Sequence, residues 1–79
     1  MNPHFASLVI GLAQQAQAAL DGKLPGAEGK QREAAQALID TLGMLEQKTA
    51  GRLEPDEARL LSEVVTPLRI RFVRAASAS

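Results

Sequence analysis

The chain has no cysteine, no tryptophan and no tyrosine, and among its 79 residues there are only two phenylalanines and one histidine. Without thiols there are neither disulfides nor thiolate zinc sites, and His4 alone builds no nitrogen-ligand metal site unless several carboxylates surround it. Nine Lys+Arg balance nine Asp+Glu, so the net charge exerts no pull toward nucleic acid or an anionic membrane. A single core in a domain of this size supplies only about 3–5 kcal/mol. With disulfide and metal staples set aside, self-association is the route left for adding to it.

Charge is also missing locally, since residues 1–20 hold no Asp, Glu, Lys or Arg. The segment 'FASLVIGLA' has the length of a signal-peptide apolar region and 'AQA' resembles a cleavage site, but no Lys or Arg precedes the apolar run. Gln14, Gln15 and Gln17 interrupt the roughly 20 apolar residues that a membrane span needs. The reading is therefore a soluble, cytoplasmic chain with no membrane contact. The charge that is present is unevenly placed: Glu54 to Glu63 is mostly acidic, and the last stretch carries Arg69, Arg71 and Arg74 with no acid beside them.

The apolar residues recur at helical spacing in three runs. Asn2 followed by Pro3 predicts an N-cap with proline at the first helical position. Phe5, Leu8, Val9, Leu12, Ala16, Ala19 and Leu20 then form the stripe of a first helix over about 3–21. The segment 'DGKLPGAEG' contains three glycines and a proline, which predicts a mobile loop over 21–29. A second helix over about 29–50 has Ala35, Leu38, Ile39, Leu42 and Leu45 on one face, with Glu28 and Arg32 spaced for an i,i+4 pair. A third, over about 55–74, carries Leu61, Val64, Val65, Leu68 and Phe72, broadened by Leu60 and Val73. Pro67 in its middle predicts a kink or break, and the tail at 75–79 has no apolar anchor and is expected to fray.

The stretch 'QKTAGRLEPDE' reads as a joint. Lys48 faces the negative end of the second helix, and Gly51 is placed for the left-handed conformation that ends it. Leu53 acts as a staple, Glu54 as the cap and Pro55 as the first helical residue, with Asp56 and Glu57 in the electropositive first turn. The expected fold is all-α, a helical hairpin of the second and third helices with the first packed against it.

The residues 'ALIDTLGMLEQKTAGRLEPDEARLLSEVVTPLRIRFV' resemble a family of small bacterial proteins known as domain-of-unknown-function family 1844. An Ile-Asp-x-Leu-x-Met-Leu segment, a Lys-Thr-x-Gly-x-Leu joint and a closing Leu-Arg-x-x-Phe-Val carry the resemblance. The segment 'FASLVIGLAQQAQAAL' is similar to the family's first helix, so the likeness spans residues 5 to 73. It implies a small helical cytoplasmic protein without assigned activity, and hence no catalytic residue to carry over. The chain departs from the pattern at Pro67, where a helix-compatible residue is usual, and at Arg52 and Glu54, where Asn and Thr are the common choices.

No constellation of catalytic residues is visible. His4 lacks an orienting partner, and the glycines of 'GKLPGAEGK' follow a helix without phosphate-loop spacing. The chain is read as a non-enzymatic structural or interaction module of unknown cellular role, with no cofactor and no metal. The alternative is a nucleic-acid-associated protein using Arg69, Arg71 and Arg74 as anion contacts, although no Tyr or Trp is present to stack on bases. Asp40 and Arg69, each flanked by apolar residues, are candidates for an interhelical ion pair. A second copy of the chain is the expected partner, in a homodimer, and another protein is a further candidate. The residues read as that interface are Ser7, Ile10, Gly11, Gln14, Ala18 and Met44, uncharged positions off the core stripes.

Overall fold

A computed structural model describes residues 1–78, with side-chain surroundings through Ala75. Among the described residues the regular elements are three helices, α1 (Pro3–Leu20), α2 (Gln31–Lys48) and α3 (Pro55–Ala78). All three pack against one another.

Helix α1 begins where the Asn-Pro signal places it. The Asn2 side chain accepts from the backbone N–H groups of His4, at 2.8 Å, and Phe5, at 3.2 Å. That satisfies two of the donors a helix start leaves open. It ends in a Schellman turn: the Gly22 N–H donates to the Ala19 carbonyl and the Lys23 N–H to the Ala18 carbonyl. Gly22 supplies the positive φ of 73° that this turn requires.

Helix α2 starts at Gln31, two residues later than the spacing predicts, and has no side-chain cap. The expected Glu28–Arg32 pair is corrected by this start. Glu28 precedes the helix and accepts from the Gly26 N–H, while Arg32 lies over the Phe72 ring, 5.8 Å from its centroid. The segment read as a mobile loop is a succession of turns. It is closed by two reciprocal bonds between Leu24 and Gln31, each 3.0 Å: the Leu24 N–H donates to Oε1, and Nε2 donates to the Leu24 carbonyl.

The joint lies where the sequence places it, but α2 ends two residues earlier than read, and Gly51 belongs to the turn after it rather than to the helix end. Helix α2 stops at Lys48, and the Thr49 hydroxyl donates back to the Leu45 carbonyl. Gly51 takes a φ of 78° inside a turn closed from the Arg52 N–H to the Thr49 carbonyl. Helix α3 is helical without interruption from Pro55 through Ala78 and contains Pro67, so the expected break is not there. Pro67 and Glu63 are both exposed, and the Glu63 carbonyl that loses its donor can turn to water. The tail expected to fray is helical as far as Ala78, and Ser79 lies outside the described residues.

Val9, Leu42, Leu61 and Val65 are the largest fully buried side chains, joined by Ala13, Ala16, Ala35, Ile39 and Leu68. Alanines at three of the buried positions on α1 (Ala13, Ala16 and Ala19) let its backbone approach the other helices closely. Two residues assigned to core stripes are not in the core: Leu8 is 49% and Val73 61% exposed. Each sits at the margin of its stripe, and three helices leave no fourth element to cover that margin.

Candidate interaction surfaces

The charged residues that the sequence singles out are used mainly to hold helices together. Arg69 pairs with Glu46 at 3.2 Å, not with Asp40, and this corrects the expected pair. The reason is the lean of helical side chains toward the N-terminus of their own helix. Glu46 leans back over Gly43, whereas Asp40, one turn earlier, leans away from it. Gly43 has no side chain, and Arg69 fills the vacancy: its Nη2 lies 2.7 Å from where a Cβ would stand.

Arg71 hydrogen-bonds Asp21, the residue that caps the C-terminus of α1. A carboxylate at that negative helix end is unfavourable by itself, and the guanidinium offsets it. Two of the three arginines considered as anion contacts are therefore occupied by carboxylates of the same chain. Arg74 is exposed on the last turns of α3.

Glu57 has a role that the sequence reading does not contain. It is only 6% exposed. Its Oε1 accepts from the Glu54 N–H at 3.0 Å, as in a capping box, and its Oε2 accepts from the Asn2 N–H at 2.8 Å. These two bonds, Asn2 before Glu54 in effect, hold its carboxyl below the usual carboxylate range. The three-residue spacing from cap to Glu57 is a local signal; the bond to Asn2, 55 positions away, has none. Near the same point the Met1 amino group lies 3.5 Å from Asp56 and 3.6 Å from Glu54.

The residues read as an interface fall on outward faces. Ser7, Ile10, Gln14 and Met44 are exposed and Gly11 and Ala18 half-buried; the structure places Met44 on a different helix from the other five. Leu8, Ile10, Met44, Ile70 and Val73 are all large apolar side chains left 43–61% exposed. The clefts between helices are shallow. One of about 250 Å3 is lined by Leu20, Arg32 and Phe72, and one of about 300 Å3 by Thr49, Gly51 and Leu53, at or below the lower end of small-molecule sites. His4 is exposed in the first turn of α1. Among the described residues no three His, Cys, Asp or Glu side chains gather as metal ligands, and no helix is long and apolar enough to cross a membrane.

The family described as Domain of unknown function (DUF1844) matches residues 2–74, nearly the whole three-helix unit. The chain belongs to that family. It matches no curated protein and no solved structure. The matched DUF1844 region begins at Asn2, which caps α1, and ends at Arg74 on α3, so the Asn2–Glu57 bond, the joint and the Arg69–Glu46 pair all lie within it.

Proposed function

We propose that this DUF1844 protein is a non-enzymatic interaction module that works through its outward helical faces, with α2 and α3 as an antiparallel hairpin and α1 laid against it. The observation that carries the reading is the set of large apolar side chains left half-exposed on all three helices, Leu8 and Ile10 on α1, Met44 on α2, and Ile70 and Val73 on α3. Scattered exposed apolar residues are ordinary, but here large ones recur on every helix of a chain of only 79 residues, in neighbouring positions on α1 and α3. The polar groups speak for the same reading: Glu57, Glu46, Arg69, Asp21 and Arg71 are committed to contacts within the chain. The nucleic-acid alternative is less favoured, since two of its three arginines face carboxylates of the same chain.

The test is affinity capture from a lysate of the source cell, with the wild-type chain beside Ile70→Glu and Val73→Glu variants that melt normally. A protein held by the wild type and lost from both variants is expected. Identical captured sets for all three chains would overturn the reading for this face, and retention of added nucleic acid that fades with salt would restore the alternative.

A further inference from the structure

We infer that the outer face of α1 is a self-association surface, occupied by the same face of a second copy of this chain in a two-fold contact centred on Gly11. The inference rests on the reading of the chain as an interaction module and names the partner for one of its faces.

At 100° per residue, the side of α1 opposite its buried residues Val9, Ala13 and Ala16 carries Ser7, Gly11, Gln14 and Ala18. Leu8 and Ile10, 49% and 43% exposed, flank Gly11 on either side. The choice of occupant comes from charge. In a two-fold contact residue i meets residue j and j meets i, so a charged side chain near the axis confronts its own copy, and one buried elsewhere on the face must find an opposite charge or lose its hydration. Helices α2 and α3 carry charged residues on their outer faces, among them Glu33, Asp40, Arg59 and Glu63, all exposed. From Pro3 to Leu20 there is no Asp, Glu, Lys or Arg at all. The face is one that repels no copy of itself and offers no charge by which to select a different partner.

Gly11 adds an independent reason. Glycine in a helix interior is unfavourable relative to alanine, and a close approach by another element usually explains it. Beyond its chain neighbours and the surrounding backbone of its own helix, nothing lies within 4 Å of where a Gly11 Cβ would stand, and its φ is not positive. Neither packing nor backbone geometry inside one copy calls for glycine here, whereas a second helix crossing at this point does.

Light scattering on the wild-type chain at low micromolar concentration should give twice the 8.4 kDa chain mass. Ile10→Glu and Leu8→Glu should bring it to the chain mass, and Ile70→Glu should leave it doubled. Gly11→Ala separates the cases by sign. It should weaken association in a chain that pairs through α1, and in a monomer it can only raise the melting temperature. Wild-type mass that stays at one chain, association that survives Ile10→Glu but not Ile70→Glu, or Gly11→Ala that melts higher with no loss of association would each overturn the inference. A monomer that still captures a protein through Ile70 and Val73 would overturn this inference alone and leave the module reading standing.

Discussion

One carboxylate joins the starts of two helices: Glu57 accepts from the Asn2 N–H at 2.8 Å with one oxygen and from the Glu54 N–H at 3.0 Å with the other. It closes the cap of α3 and pins the entry of α1 to it. The bonds form with the ionised group, which is why its pKa is lowered. A carboxyl whose folded pKa is depressed stabilises the fold above its unfolded value, and that contribution fades as pH falls through the folded value. Glu57→Gln should therefore melt below the wild type at neutral pH, and the gap should narrow on acidification. Thermal melts followed by circular dichroism across the acid range check this, and a gap independent of pH would contradict it.

Asn2→Ala removes the side chain that accepts from His4 and Phe5. Loss of an N-cap costs about 1 kcal/mol, or roughly 4–8 °C in the melting temperature of a domain this size. Asn2→Asp should retain most of it, since the cap oxygen is kept. An alanine variant that melts with the wild type would show that the cap does not hold α1.

Gly43→Ala sets two small effects against each other. Helix propensity favours alanine by about 0.5–1 kcal/mol, while the displaced Arg69 forfeits an exposed pair worth about 0.2–1 kcal/mol. The substitution should leave stability within about 0.5 kcal/mol of the wild type. Its signature is coupling: Glu46→Gln, slightly destabilising in the wild type, should become silent in the Gly43→Ala background. Additive effects in the double-mutant cycle would refute the arrangement of Arg69 over Gly43.

Pro67→Ala restores a donor within a helix that is already continuous. Proline costs about 3 kcal/mol relative to alanine inside a helix, its restricted unfolded chain included. A net stabilisation of up to about 3 kcal/mol is expected, measurable by chemical denaturation. Destabilisation would mean that the proline ring packs against something at this exposed position.

Leu42 is fully buried and Ile70 is 48% exposed. Leu42→Ala should cost about 2–5 kcal/mol, comparable to the whole stability of a small core of about 3–5 kcal/mol, and should abolish cooperative melting. Ile70→Ala should shift stability by no more than about 0.5 kcal/mol. Equal effects of the two would place the core wrongly.

Local signals wrote most of the fold. Periodicity placed Val9, Ile39, Leu42, Leu61, Val65 and Leu68 in the core, and capping chemistry placed the starts of α1 and α3, because both depend on neighbours within one or two turns. Gly22 marked the end of α1 for the same reason, whereas Gly51, also at a positive φ, serves the turn that follows the end of α2 at Lys48. What tertiary structure alone decided are the relations without a sequence spacing: Glu57 with Asn2, Arg71 with Asp21, Arg69 over Gly43 to Glu46, and Arg32 on Phe72. Leu8 and Val73 belong here too, since residues at the margin of a stripe are buried or bare according to whether another helix happens to reach them. Hydrophobic spacing says which side of a helix turns inward; the partner of each charge depends on which way side chains lean once three helices stand side by side, and that is not written in any one of them.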